Sequence, residues 1–296
     1  MLLMVGFCIL APMGDAIAKL LGSVMSVGAM VMIRFGAQAL FLFPLALMFR
    51  LPIPAGRRLL SLIAVRTVLH IAGIAMMFSA LKYLPLADAL AIAFVMPFLM
   101  LLAGWLFLGE EVGPHRLGAC AVGFAGTLLV IQPNFAAVGW PALLPLGVAV
   151  TFVGFMLVTR MMAKDVDPVS MQAVSGAMAL AVLGPVALVF PDWPPLSLAG
   201  VGGAGLGMVL ALGLIGTLAH LLMTWSLRFA PSATLAPMQY LEIPFGTLIG
   251  WLIFRDLPNG LAALGISVTI GAGLYIIARE RRLSRQPQPG QAPPAA

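Results

Sequence analysis

Apolar runs close to the ~20 residues that cross a bilayer follow one another along the whole chain, broken only by short polar connections. They cover residues of about 2–21, 25–49, 59–82, 86–108, 115–132, 139–160, 168–190, 199–227, 232–254 and 258–279. The connections carry residues that stop helices: "RLPIPAGRR", "LGEEVGPHR", "IQPNFAAVGWP", "KDVDP", "FPDWPP", "FAPS" and "RDLPNG". A membrane barrel would instead alternate in ~10-residue segments, and no such alternation is visible. The pattern predicts an all-α integral membrane protein with ten transmembrane helices.

Composition points the same way. Of the 296 residues 62% are hydrophobic and 9% charged, against about 25% charged in soluble domains. The chain is basic, at +6, yet its cations sit at the ends of the runs rather than in one patch. That placement argues for topology signals and against nucleic acid. An even number of spans puts both termini on one side. If that side is the cytoplasm, it collects Arg50, Arg57, Arg58, Arg116, Arg160, Lys164, Arg228, Arg279, Arg281, Arg282 and Arg285, and the other side only Lys19, Lys82 and Arg255. The positive-inside bias predicts a multi-pass protein of the inner (cytoplasmic) membrane with both termini cytoplasmic. Cys8 and Cys120 fall in apolar runs, so no disulfide framework is implied. The first run lacks a basic leader, and no cleavable signal peptide is expected. Residues 281–296, basic and then Pro/Gln/Ala-rich, read as a disordered tail.

The runs repeat. "ALKYLPLADALAIAFVMPFL" from Ala80 aligns with "SLRFAPSATLAPMQYLEIPFG" from Ser226, matching Leu81 to Leu227, Lys82 to Arg228, Pro85 to Pro231 and Pro97 to Pro244. Glu110 then falls opposite Asp256, Gly118 opposite Gly265 and Gly126 opposite Gly273. Upstream, Gly6 matches Gly147, Lys19 Arg160, Pro44 Pro185 and Phe49 Phe190. The chain therefore divides into halves at 1–136 and 137–280, and five spans being odd, the second half enters the membrane inverted. Secondary transporters are commonly built this way, with the solute site near the midplane between the halves.

Two five-span repeats, a proline in the fourth span of each, an acid at that span's end ("FVMPFLMLLAGWLFLGEE", "YLEIPFGTLIGWLIFRDL") and a glycine-rich fifth span resemble the EamA family of the drug/metabolite transporter superfamily. The resemblance covers residues 1–280. "GDAIAKLL" in the first span is similar to a branch that includes bacterial riboflavin and S-adenosylmethionine transporters. "RDLP" departs from the family, which often has Gly before the acid. The resemblance implies transport of a metabolite, whether riboflavin, S-adenosylmethionine or an amino acid.

Ionisable residues at membrane depth usually face the bundle interior or a watery cavity. Arg34 lies about nine residues inside the second span, roughly 13–14 Å from its end at ~1.5 Å per residue. Gln38 follows one turn on. Together they suit a carboxylate or other anion, because a guanidinium presents a rigid fork of donors; neutralisation of Arg34 by Asp15 is the competing reading. Asp15 and Lys19 share a face of the first span, and Asp15 carries both a structural and a substrate reading. Arg66 and His70 form a third such pair; Arg66 is shallow enough to snorkel, and His70 is either a proton relay or an interior histidine. In the ninth span Gln239, Tyr240 and Glu242 surround Pro244. Glu242, with Asp15, is the candidate coupling carboxylate, able to take up and release a proton; its alternative is charge partner to an arginine. Pro97 and Pro244 each remove a backbone donor and are expected to break their helices. Thr217, His220, Thr224 and Arg228 line one stripe of the eighth span, and Gln172 and Ser175 mark the seventh. Ser175 aligns with Arg34, so the two halves are alike in fold and unequal in chemistry. Tyr83, Trp105, Trp225 and Trp251 sit where aromatics anchor at interfaces; Phe94 and Tyr240 are better placed to stack on a solute. Asp88 reads as a boundary residue near Lys82.

The candidate solute-binding set is thus Arg34, Gln38, Asp15, Arg66, His70, Phe94, Gln172, Ser175, His220, Gln239 and Tyr240. No nucleotide loop follows the glycines from Gly200, because the Gly-Lys-Ser/Thr ending is missing. His70, His115 and His220 are far apart in sequence with no HExxH, which excludes the common intramembrane enzyme patterns. The expectation is a secondary transporter, not an enzyme, with no cofactor and no metal. Its partners are a small-molecule solute and the lipid bilayer, not nucleic acid, and it acts as a monomer or homodimer. Two interior arginines favour a solute with a carboxylate or several carbonyls; a cationic solute would require Asp15 and Glu242 free of them.

Overall fold

A computed structural model describes residues 1–109, 112–130, 139–189, 203–255 and 260–283. Among these, every regular element is helical. The first half comprises α1 (Leu2–Leu21), α2 (Val27–Met48), α3 (Arg57–Ala80), α4 (Leu86–Ala93), α5 (Met96–Leu108) and α6 (Pro114–Val130). The second comprises α7 (Leu143–Met162), α8 (Pro168–Val189), α9 (Gly203–Phe229), α10 (Ser232–Leu235), a 3₁₀ segment (Ala236–Leu241), α11 (Glu242–Phe254) and α12 (Gly260–Leu283). Among the described residues, α1, α2, α3, α7, α8 and α9 are each long and apolar enough to cross a membrane.

The apolar runs at 86–108 and 232–254 are not single helices. α4 and α5 are separated at Phe94–Val95, and α10 and α11 by the 3₁₀ segment. Each interruption lies just before the proline that sequence singles out. Pro97 has no N–H to offer the Ala93 carbonyl, nor Pro244 the Tyr240 carbonyl, and each ring crowds that same carbonyl. Pro97 and Pro244 themselves sit in the first turns of α5 and α11, where the missing donor does least harm. α12 continues through Leu283, three residues into the stretch 281–296 read as a tail. Glu110, Asp256, Arg285, the boundary near 136 and residues 284–296 lie outside the described residues, as does the side chain of Asp88.

The halves repeat in conformation as well as sequence. Ser26 Oγ accepts from Ala29 N at 3.1 Å to cap α2, and its repeat equivalent Asp167 accepts from Val169 N at 2.9 Å to cap α8. Helix α5 ends at Gly109 with φ 62, and α11 ends at Arg255 with φ 61. The left-handed geometry that glycine adopts freely is thus forced on an arginine where "RDLP" departs from the family, at a cost of about 1–2 kcal/mol.

Packing follows a two-fold relation. α1 lies along α9 and its equivalent α7 along α3, while α2 meets α8 and α6 meets α12, each against its own counterpart. Connections alternate between two faces. On the Met1 face, Arg160 Nη1 donates to Leu227 O at 2.5 Å and Arg228 approaches Asp167 at 4.0 Å. On the opposite face, Lys19 Nζ donates to Leu84 O at 2.9 Å and lies over the Phe254 ring, and Tyr83 packs on Trp140. Tyr83, Trp105 and Trp251 are exposed, whereas Trp225 packs beside the Leu42–Ala46 cluster.

Glycine sets the closest crossings. A Cβ on Gly176 would lie 2.8 Å from Ala39 N and 3.1 Å from Phe35 O, both backbone atoms of α2. Backbone cannot swing aside as a side chain can, so Gly176→Ala forces α2 and α8 apart. The expected cost is about 1–3 kcal/mol, read as a lowered thermal midpoint in detergent; an unchanged midpoint would show that the crossing tolerates a methyl group.

Candidate functional site

A cavity of about 90 Å³ lies where α1, α2, α3, α7, α9 and the two interrupted helices converge. Arg34, Asp15, His70, Phe94, His220 and Glu242 line it. Sequence reasoning names all six, and the fold brings them together from both halves. Arg34 is 2% exposed. Its Nη2 donates to the Gly216 carbonyl of α9, and its Nη1 has no hydrogen-bond partner among the described residues. Asp15 makes no ion pair with it within 4.0 Å; among the described residues that limit is reached by Arg228 and Asp167. Glu242 Oε1 is likewise buried without a partner among the described residues.

The rest of the wall is mostly aliphatic, with Leu10, Ile74, Met77, Leu90 and Leu212, and an aromatic cluster occupies one part of it. The rings of His70 and His220 lie 4.3 Å apart between centroids, tilted by 38°, with Phe7 edge-on 5.7 Å from His220 and Phe35 edge-on 4.9 Å from His70. Both nitrogens of His70 and Nδ1 of His220 lack partners among the described residues. Phe94 lines the cavity and packs on Tyr240 at 5.8 Å.

The remaining candidates do not line this cavity. Gln38, Arg66, Gln172 and Ser175 belong to a hydrogen-bonded layer nearer the Met1 face, and Gln239 and Tyr240 lie in the 3₁₀ segment. Arg66 Nε donates to Thr159 Oγ1 at 2.8 Å, Nη1 to Ser175 Oγ at 2.7 Å and Nη2 to Thr224 Oγ1 at 3.4 Å. Its guanidinium also lies 4.3 Å from the centre of the Phe155 ring. Gln38 Nε2 donates to the Gln172 carbonyl at 2.6 Å, and Gln172 Nε2 to Thr224 at 3.2 Å. Every bond made by Arg66 and Gln38 here runs from the first half to the second. Arg66 is wholly buried, so it does not snorkel: α3 carries it against three hydroxyls inside the bundle, not toward the membrane surface. Gln239 Nε2 contacts Met156 Sδ at 3.0 Å, and Tyr240 OH donates to Cys120 O at 3.1 Å. Cys8 and Cys120 are buried free thiols.

Phe7, Phe78, Phe152 and Gly216 also line the cavity and were not singled out from sequence. The phenylalanines look like any others in an apolar span. Gly216 carries a faint signal: extending the Leu81–Leu227 register back along α3 and α9 sets it opposite His70.

Two equivalent helical halves enclosing a cavity with buried, unpartnered polar groups define a membrane transporter. The chain belongs to the EamA-like transporter family, whose model matches residues 1–132 and again 139–279. It is a transporter, not an enzyme. A riboflavin transporter of Rhizobium johnstonii is 32% identical over 75% of this chain and 72% of its own. The pseudopaline exporter CntI of Pseudomonas aeruginosa is 24% identical over 92% and 90%, and an S-adenosylmethionine uptake transporter of Rickettsia bellii 22% over 90% and 89%. A solved crystal structure covers 94% of this chain and 97% of its own with a TM-score of 0.73 at 19% identity, a likeness of fold alone.

Proposed function

We propose that the protein is a ten-span secondary transporter of the inner membrane, termini cytoplasmic, that moves a flat, carbonyl-bearing metabolite of the riboflavin kind by alternating access. The observation that carries this reading is the cavity itself: aromatic and imidazole rings set in an apolar wall, with a guanidinium donor and a carboxylate acceptor that have no partner among the described residues. Such walls suit a heteroaromatic ring, with few polar groups fixing its orientation. The name carried by the relative at 32% identity agrees. At about 90 Å³ the cavity is smaller than the roughly 300–1,000 Å³ of ligand pockets, so the solute enters as the halves part. The layer around Arg66 closes the Met1 side and has to separate when the cavity opens there. Glu242 and Asp15 are the coupling carboxylates of this scheme.

A cationic metabolite such as S-adenosylmethionine is the second reading, favoured by the two carboxylates lining one cavity. Uptake into proteoliposomes separates the two. Riboflavin is expected to enter saturably and faster with a pH gradient than without, while S-adenosylmethionine and amino acids compete weakly. Riboflavin uptake equal to that of protein-free liposomes overturns the first reading, and saturable S-adenosylmethionine uptake in its place establishes the second.

A further inference from the structure

We propose that Gly216 is a positioning residue for the solute site: its bare backbone is the notch in which Arg34 is seated, leaving Nη1 to bind an oxygen acceptor of the solute. This inference deepens the proposed function and rests on its premise that solute passes through this cavity.

The geometry is unusually restrictive. A Cβ on Gly216 would overlap Arg34 Nε and lie 2.6 Å from both Cδ and Cζ, where real Cβ contacts essentially never fall below 3.0 Å. The guanidinium therefore crosses α9 through space that any other residue would fill. The Gly216 carbonyl then accepts from Nη2. One bond and one notch fix the plane of a group that is otherwise free to rotate about several torsions. Nη1, buried and unpartnered among the described residues, is what remains on the cavity wall. A buried donor without a partner is costly, so a carbonyl or carboxylate oxygen arriving there is strongly favoured, and a charge-assisted bond to it is short and directional.

The repeat shows why the notch lies at one of the two equivalent crossings between the halves. Arg34 corresponds to Ser175, and Gly216 to His70. At one crossing between the halves Arg34 faces a residue with no side chain; at the two-fold-related crossing the equivalent positions hold a small residue, Ser175, and a large ring, His70. The exchange keeps the volume at the two-fold-related crossings similar while placing a guanidinium on one side and an imidazole on the other.

The test is a double-mutant cycle on riboflavin uptake in proteoliposomes. Gly216→Ala is expected to raise KM about tenfold, the loss of roughly one charge-assisted hydrogen bond, with maximal rate within about threefold. Arg34→Ser, which installs the residue of the equivalent position, is expected to raise KM at least as much. Because both act through one guanidinium, the double variant should be no worse than Arg34→Ser alone. Additive losses, or a KM for Gly216→Ala within twofold of wild type, overturn the proposal. Thermal midpoints supply a readout that needs no transported solute. Gly216→Ala should lower the midpoint and Arg34→Ser should restore it in the double variant, since the vacated space takes the methyl group. If wild-type protein moves no riboflavin, the substrate reading fails while the midpoints still decide the notch; a midpoint unaltered by Gly216→Ala rejects it.

Discussion

Arg66→Leu is expected to yield a protein that folds but transports at least tenfold more slowly. Arg66 is wholly buried, and among the described residues its partners are three hydroxyls and a ring, with no carboxylate. Burying a cation on those terms is costly, and apolar replacement of buried charged groups is often neutral or stabilising. Two of the three hydroxyls are not stranded by the change, since Thr159 and Thr224 also donate to the carbonyls of Phe155 and His220 at 2.6 and 2.7 Å. What disappears is the set of bonds between the halves. If closure of the Met1 side loses about 2–3 kcal/mol, the balance between the two access states shifts by about 30- to 150-fold. Thermal midpoints in detergent and riboflavin uptake in proteoliposomes check both parts. A midpoint lower by more than about 10 °C, equivalent to several kcal/mol in a protein of this size, would make Arg66 a residue of stability instead.

The second large effect is expected at Glu242. Glu242→Gln keeps the shape and the hydrogen-bonding capacity of the side chain but removes its ability to change charge. Accumulation driven by a pH gradient should vanish, while exchange of labelled for unlabelled riboflavin across the membrane continues within about threefold of wild type. That separation follows from the role assigned: exchange needs solute to bind and the halves to move, whereas accumulation also needs a proton to be carried. Asp15 lines the same cavity, so Asp15→Asn is the informative companion. A Glu242→Gln protein whose accumulation still responds to the gradient would move the coupling role to Asp15 or remove it altogether.

Much of this architecture is legible in the sequence because membrane burial writes a strong pattern. Apolar runs and their breakers locate the helices, and the Pro97–Pro244 and Gly6–Gly147 matches reveal the repeat. The interruptions ahead of Pro97 and Pro244 follow from the missing proline donor. Depth is legible too, since Arg34 and His70 lie well inside their helices and Glu242 near the middle of the apolar run 232–254. The azimuth of a side chain around its helix is not. Arg34 and Gln38 stand one turn apart on one face of α2, yet Arg34 reaches the cavity and Gln38 reaches the Gln172 carbonyl. His70 and Arg66 divide in the same way on α3. Which of two neighbours meets solute and which meets protein depends on the opposing helix, and no single-helix periodicity encodes that helix. Gly216 is the clearest instance: its part is played by the atoms it lacks.

The two interrupted helices bear on speed as much as on shape. A continuous helix that must bend during each transport cycle has to lose a turn of hydrogen bonds and form it again, and starting a turn is its slow, unfavourable step. In α4–α5 and in α10–α11 the regular α-helical ladder is already broken ahead of the proline, by a two-residue turn and by a 3₁₀ segment, so less of it has to be undone when the segments on either side tilt. Both interruptions abut the cavity, at Phe94 and Glu242. In the proposed cycle these two breaks would serve as ready-made hinges, and the barrier to turnover would fall on the polar contacts between the halves more than on the helices.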